Sequence, residues 1–176
     1  LGDLLAESGF LVTAHAMAEG RPNLIVRGTG VSDRPLLCLS GHLDTVPLGA
    51  APWSRDPLGG AISGDRLYGR GASDMKSGVA AMVAAACAVG PHPDVGLILT
   101  AGEENGCEGA QFLADNGLLP TPMGALVVGE PTANTPLIGH KGVLWLELEV
   151  SGRTAHGSAP ELGDNAVCKA ARVIGE

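Results

Sequence analysis

Four acidic or imidazole side chains lie just beyond apolar runs that have the length of β-strands. They are His42 after residues 36–39, Glu103 and Glu104 after residues 95–100, and Glu130 after residues 125–128. In an open α/β sheet, ligands bind beyond the carboxyl ends of the strands. One edge of the predicted sheet would therefore carry one imidazole and three carboxylates, which are donor types that bind divalent metal ions.

Two aspartates lie in glycine-containing loops at the same predicted edge. Asp44 is two residues after His42, so it projects in the same direction and can support the imidazole through its second nitrogen. Asp74 stands at the start of an alanine-rich helix, where its two oxygens could bridge two metal ions. Taken alone, His42 could equally cap a turn, and Asp74 could serve only as a helix N-cap.

The adjacent glutamates carry more information than the single residues. Glu103 and Glu104 would repel each other without a cation nearby, although two solvated carboxylates on a surface turn would also fit. With a metal bound, one could ligate it while the other acts as a general base. Glu130 precedes a proline, which is common in turns, and His156 could be a solvated loop residue or a hydrogen-bond donor to an oxyanion.

These loops are expected to be held by an α/β fold, a doubly wound mixed sheet with helices on both faces. The predicted strands are residues 23–26, 36–40, 95–100 and 125–128, and the predicted helices are residues 1–8, 77–89 and 108–116. Residues 1–138 would form a metal-binding catalytic domain, and residues 139–176 the start of a smaller α+β lid or dimerisation domain. In that second part, apolar and polar residues alternate imperfectly over residues 143–150, which predicts a half-exposed strand of another sheet.

Composition restricts the class of protein and its partners. The chain has 176 residues with 11 Lys and Arg against 19 Asp and Glu, giving a net charge of −8. This balance argues against nucleic-acid or anionic-membrane partners, which require basic patches. The longest apolar stretch, residues 78–89, is too short to cross a bilayer. Four widely spaced cysteines without a C-x-x-C pair favour a reducing, cytoplasmic location.

Nucleotide-binding loops fit this sequence poorly. The segment 28–33 lacks the third glycine of a dinucleotide loop and is not followed by a helix. At Lys76, a methionine replaces the glycine that a phosphate-binding loop requires before its lysine. A nucleotide-binding α/β domain is therefore the weaker interpretation.

The motifs together resemble those of the co-catalytic zinc amidohydrolases and peptidases. That family includes acetylornithine deacetylase, succinyl-diaminopimelate desuccinylase, aminoacylase and carboxypeptidase G. The matching segments are residues 40–47, 69–78, 103–104, 129–132 and 154–158, in the family's order. The resemblance covers nearly the whole chain and implies a zinc-exopeptidase-like catalytic domain.

The resemblance implies a specific set of metal ligands. His42 and Glu130 would bind one metal ion, Glu104 would bind the other, and Asp74 would bridge them. Zinc is the expected metal, with cobalt or manganese as alternatives, since mixed imidazole and carboxylate sites accept several ions.

The same resemblance implies roles for three further residues. Asp44 would orient the metal-binding histidine, Glu103 would be the general base and acid, and His156 would polarise the scissile carbonyl, often across a homodimer. The family also tends to have a cis peptide bond after the bridging aspartate, here Asp74–Met75.

The implied activity is hydrolysis of the amide bond of an N-acyl amino acid or small peptide. The family's last metal ligand, a histidine, is expected beyond residue 176. The alternative is therefore a truncated, catalytically incompetent metal-binding fragment of such an enzyme.

Overall fold

A computed structural model describes residues 1–175. Its regular elements are α1 (Gly2–Glu7), β1 (Leu11–Ala18), β2 (Arg21–Arg27), β3 (Leu36–His42), β4 (Ala61–Ser63), β5 (Arg66–Tyr68), α2 (Ser77–Val89), β6 (Val95–Thr100), α3 (Glu108–Asp115), β7 (Met123–Val128) and α4 (Ala166–Ile174). The order of strands and helices along the first 128 residues is that of an α/β protein.

The main sheet has five strands in the order β1-β2-β6-β3-β7. β3 runs parallel to both of its neighbours, β6 and β7, whereas β1, β2 and β6 pair antiparallel. β4 and β5 form a separate antiparallel hairpin. The parallel trio matters most, because it brings the carboxyl ends of β3, β6 and β7 to one edge of the sheet.

Helices cover both faces of this sheet, as the sequence predicts. β6 is apolar on both sides: Leu97 and Leu99 join one core cluster, and Ile98 joins the other. Helices α1 and α2 contribute to the first cluster, whereas Leu113 of α3 contributes to the second. The prediction of a doubly wound mixed sheet is therefore confirmed.

α2 is apolar, and one of its faces packs into the protein core. Together with the preceding turn it makes an 18-residue stretch with the length and composition of a membrane span. The backbone at Asp74 and Met75 is not helical, however, so the continuous helix has 13 residues. That is about 20 Å of helix, less than the ~30 Å hydrocarbon layer. Met82, Val83 and Ala86 of this helix are buried in the protein core.

The main differences between the structure and the sequence predictions concern β1, β3 and residues 143–150, and β2 and β7 are also longer than predicted. β1 was not predicted, and β3 continues two residues beyond the predicted end, to His42. The prediction of a strand at residues 143–150 is wrong, because these residues have no regular secondary structure. A strand requires a partner for its backbone N–H and C=O groups, and among residues 1–175 no segment pairs with this one.

The chain divides into two compact units, Leu1–Ile138 and a second that begins at Gly139. In the second unit, Arg153 and Asp164 form a short antiparallel bridge. The Asn165 side chain then caps α4 by accepting hydrogen bonds from the backbone N–H groups of Val167 and Cys168, at 2.9 and 3.1 Å.

Candidate metal centre

His42 is the last residue of β3 and lies at the edge where three parallel strands end. Its register partner is Thr100, the last residue of β6, and the backbone of Ser40 pairs with Val128, the last residue of β7. The imidazole is only 1% exposed. The three segments that follow these strands, together with the turn before α2, therefore meet around one buried ring.

Three carboxylates approach the same nitrogen of this ring. The Nε2 atom of His42 lies 3.1 Å from Asp74 Oδ1, 3.8 Å from Glu130 Oε1 and 3.9 Å from Glu103 Oε2. A single N–H can serve only one of these oxygens well. A cation in this space would interact favourably with all of them.

The donor atoms form two groups that could each hold a metal ion. The first group is His42, Asp74 and Glu130, and the second is His42, Glu103 and Glu104; within each group the donor atoms lie within 4.8 Å of one another. All four residues predicted as metal ligands thus lie in these groups, and so does the predicted base. His42 belongs to both groups, whereas the family resemblance implies that Asp74 is the shared ligand.

The predicted support of His42 by Asp44 takes an unexpected form. The Nδ1 atom lies 2.9 Å from the backbone carbonyl oxygen of Asp44 and 3.6 Å from its carboxylate. An Nδ1–H that donates to this carbonyl leaves Nε2 free to bind a cation. The carboxylate itself accepts hydrogen bonds from three backbone N–H groups, of Gly102 (2.8 Å), Glu103 (3.2 Å) and Glu104 (3.2 Å).

The pKa values reflect this crowding of charge. Burial raises the pKa of Glu130, and the neighbouring carboxylates of Asp74 and Glu103 raise it further against the opposing effect of His42. Burial lowers the pKa of His42, but the hydrogen bonds to Asp74 and to the Asp44 backbone raise it above its ordinary value. Both shifts favour the protonated form, as expected where several carboxylates surround one imidazole.

Asp44 behaves in the opposite way. Burial raises the pKa of its carboxyl group, but the backbone N–H groups of Glu103, Glu104 and Gly102 outweigh burial and lower it below the ordinary value. Asp44 is thus held ionised by the loop that carries the two glutamates.

Asp74 does not act as a helix cap. α2 begins at Ser77, and the Asp74 carboxylate contacts His42 instead. The Asp74–Met75 peptide bond is cis, as the resemblance implies. Before it, Gly71 has a φ of 74°, and a side chain there would collide with Thr45. A glycine is therefore required where the Asp74 turn meets the segment after β3.

His156 lies in the second unit and is exposed. Its Nδ1 atom accepts a hydrogen bond from the Ser158 backbone N–H at 3.3 Å and lies 2.9 Å from the Ser158 hydroxyl. With Nδ1 as an acceptor, the neutral ring carries its proton on Nε2. His156 therefore presents a hydrogen-bond donor to solvent.

Two contacts at the centre were not anticipated from the sequence. The backbone N–H of His42 lies 3.2 Å from the buried Met75 sulfur, and the Cys107 sulfur lies 3.9 Å from Glu103 Oε1. Met75 is adjacent to a predicted ligand, but nothing in its own residue type indicates this contact. Cys107 is four residues from Glu103, and its backbone N–H donates to the Glu103 carbonyl oxygen at 2.9 Å, so a turn brings the two residues together.

Sequence comparison identifies a protein family and several similar proteins. Residues 38–175 match the profile of Peptidase family M20/M25/M40. Proteins named probable succinyl-diaminopimelate desuccinylase are similar: that of Staphylococcus aureus is 38% identical over 85% of this chain and 37% of its own length, and that of Staphylococcus epidermidis is 37% identical over 95% and 42%. The succinyl-diaminopimelate desuccinylase of Granulibacter bethesdensis is 36% identical over 94% of this chain and 45% of its own. The chain thus spans less than half the length of these relatives.

Solved structures show the same fold at lower sequence identity. A tripeptidase from Staphylococcus aureus superimposes with a TM-score of 0.63 at 24% identity, covering 99% of this chain and 48% of that one. Human carnosine dipeptidase 1 gives a TM-score of 0.57 at 24% identity, covering 72% and 30%. The family match extends over most of the chain and includes every predicted site residue, so the resemblance seen in the sequence is confirmed. The chain belongs to Peptidase family M20/M25/M40.

Proposed function

We propose that this chain carries the metal centre of a hydrolase that cleaves the amide bond of an N-acyl amino acid or small peptide. The observation that carries the proposal is the convergence of three carboxylates within 4 Å of one nitrogen of the buried His42. The similar proteins are named for a desuccinylase activity, which favours an N-succinyl amino acid among the substrates.

The residues present fit two divalent cations. The one imidazole of His42 is common to both donor groups, so one ion would bind His42 together with carboxylates and the other would bind carboxylates. Zinc sites use both donor types. His42 and Glu130 would hold one ion, Glu104 would hold the other, and Asp74 would lie between them. Zinc is the first choice, and cobalt and manganese are alternatives because their ligand preferences overlap. A divalent ion bound there would polarise the amide carbonyl and lower the pKa of water, so that the water could ionise near neutral pH.

Glu103 is suited to move the proton. Its side chain is 39% exposed, so it can face a substrate, while its backbone is fixed by Asp44. It would accept a proton from the attacking water and then donate that proton to the leaving amine, which balances the hydrolysis. His156, with its proton on Nε2, would donate a hydrogen bond to the oxyanion that forms on the carbonyl oxygen.

Substitution of Glu103 tests this division of roles. Glu103→Gln should retain metal but lose turnover by about 100-fold or more, because a glutamine cannot accept the proton. Glu104→Gln should lose the ion that Glu104 would hold and keep the other, and Glu19→Gln in the exposed turn between β1 and β2 is the control. Metal content by atomic emission and turnover of N-succinyl and N-acetyl amino acids would be measured together. Near-normal turnover by Glu103→Gln would remove this residue from its role.

A second candidate function is metal binding without turnover. It rests on the two donor groups alone, which lie in the first unit and need no contribution from His156 to bind metal. Under this alternative the protein binds divalent ions but does not hydrolyse any of the N-acyl amino acids. The two measurements above separate the alternatives, because only the first function predicts a turnover that Glu103→Gln abolishes.

A further inference from the structure

The segment Ala101–Glu104, called here the glutamate loop, is held by an unusual set of hydrogen bonds. Its four consecutive backbone N–H groups all donate to side-chain oxygens. Those of Gly102, Glu103 and Glu104 reach the Asp44 carboxylate. The first, of Ala101, reaches Oδ1 of Asn23 at 3.0 Å. The loop that carries both glutamates is therefore fixed from two sides by two residues.

Asn23 lies on β2 and is completely buried, with 0% exposure. Its Nδ2 atom donates to the backbone carbonyl of His15 on β1 at 3.2 Å. One amide side chain thus links the edge strand β1 to the start of the glutamate loop. Because Nδ2 and Oδ1 of Asn23 both take part in hydrogen bonds, this buried amide keeps both partners only while the glutamate loop stays in this position.

Helix α3 also packs against Asn23 and the start of the glutamate loop. A side chain at Gly109 would overlap both Asn23 Oδ1 and the Ala101 carbonyl oxygen. The backbone of α3 therefore lies directly against the Asn23 amide. The second group that could bind metal contains Glu103 and Glu104 of this loop, and Asn23 contacts the loop through the Ala101 N–H.

We propose that Asn23 is a positioning residue for the Glu103–Glu104 pair and determines how well the second donor group binds its metal ion. The inference rests on the proposed function, since it assumes that Glu104 is a ligand. Asp44 holds the middle and end of the glutamate loop, and Asn23 holds its first N–H. Without Asn23 Oδ1, the Ala101 N–H has no acceptor at the point where the glutamate loop begins after β6. The positions of the two glutamates are then less well fixed.

The test compares variants of Asn23 with a matched core variant. Asn23→Leu keeps the branching at Cγ but removes both hydrogen bonds, whereas Asn23→Asp keeps an acceptor for the Ala101 N–H. Val26→Ala is the control: it lies on the same strand, is fully buried, and pairs with Leu97 rather than with the glutamate loop. Binding of Co²⁺ alone to the full chain would be measured by titration, following visible absorption.

Each variant would be made with Glu104 present and with Glu104→Gln. Since partners of metal ligands typically contribute 10–100-fold in affinity, we expect Asn23→Leu to weaken total Co²⁺ binding by about tenfold or more when Glu104 is present. In the Glu104→Gln background the same substitution should have little effect. Asn23→Asp should lie between wild type and Asn23→Leu, and Val26→Ala should bind like wild type in both backgrounds.

A purely structural role of Asn23 would give a different result. Equal weakening in both backgrounds, or the same affinity for Asn23→Leu and Val26→Ala, would overturn the proposal. If Asn23→Leu does not fold, the comparison of Asn23→Asp with Val26→Ala decides the question in the same way. Failure of the proposed function can be told apart from failure of this inference. If turnover is absent but the effect of Asn23→Leu still depends on Glu104, only the proposed hydrolase function is contradicted. If the wild-type protein does not bind Co²⁺, both proposals are contradicted.

Discussion

At the scale of single residues, the candidate metal centre contains contacts made by groups outside the proposed ligand set. Asp44 is the clearest case, because its carboxylate accepts three backbone N–H groups while its own carbonyl contacts the His42 ring. It therefore joins the loop after β3 to the loop after β6. The sequence pattern indicated that Asp44 supports a histidine, but it could not indicate the longer link to residues 102–104.

Substitution of Asp44 by asparagine should expose this link. An asparagine can keep its oxygen in the place of Oδ1, but its NH₂ group would then face the Glu104 N–H, donor against donor. We expect Asp44→Asn to weaken Zn²⁺ binding by roughly 10–100-fold. Calorimetric titration would measure this, with Asp65→Asn in the exposed turn between β4 and β5 as the control. Equal affinities for the two variants would contradict the role of Asp44.

At the scale of elements, close backbone contacts set the positions of the loops. Gly78 lies in the first turn of α2, and a side chain there would overlap the carbonyl oxygen of Gly129, the residue before Glu130. The helix that follows the Asp74 turn thus lies directly against the loop that carries Glu130. Absence of a side chain at Gly78 allows the two segments that carry Asp74 and Glu130, both proposed ligands, to approach each other.

The variant Gly78→Ala separates helix propensity from packing. Alanine would favour the helix by about 1 kcal/mol over glycine, but forcing α2 away from the loop after β7 should cost roughly 1–3 kcal/mol. We therefore expect a net loss of stability in chemical denaturation and weaker Zn²⁺ binding as Glu130 moves. Gly142→Ala, where a side chain meets nothing within 4 Å, is the control. A Gly78→Ala protein as stable as this control would show that the contact is not tight.

The same scale shows why sequence predicted some elements and not others. α2 and β6 were predicted with their observed bounds, because Gly90 and Pro91 end the helix and a continuous apolar run marks a strand buried on both faces. β1 is an edge strand with mostly exposed or half-buried residues, so its apolar pattern is weak. Asn23 fell inside a predicted strand, but its partner is Ala101, 78 residues away, and no local pattern encodes that contact.

At the scale of the whole molecule, the buried core is unevenly distributed. Among residues 1–175, every buried hydrophobic residue lies in the unit that ends at Ile138. The second unit is also rich in apolar residues, but Val143, Leu144 and Trp145 are mostly exposed. Alternating apolar residues are therefore insufficient to make a strand where no partner strand is available, which explains the wrong prediction at residues 143–150.

This distribution predicts that the first unit is stable by itself. All candidate metal ligands also belong to it, so a chain ending at Ile138 should unfold cooperatively, with a free energy of unfolding within about 0.5 kcal/mol of the full chain, the range typical of surface changes. Its affinity for Zn²⁺ should be unchanged. Denaturant titration with and without Zn²⁺ would measure both quantities.

The truncated chain also distinguishes binding from chemistry. It lacks His156, so under the proposed function it should bind Zn²⁺ normally and yet fail to hydrolyse N-acyl amino acids that the full protein cleaves. The full chain with His156→Ala is the matched comparison and should show the same loss of turnover with metal retained. The prediction would be contradicted if residues 1–138 unfold non-cooperatively or lose much of their Zn²⁺ affinity. Since the first unit is unchanged in the truncated chain, either result would mean that the metal centre depends on the second unit.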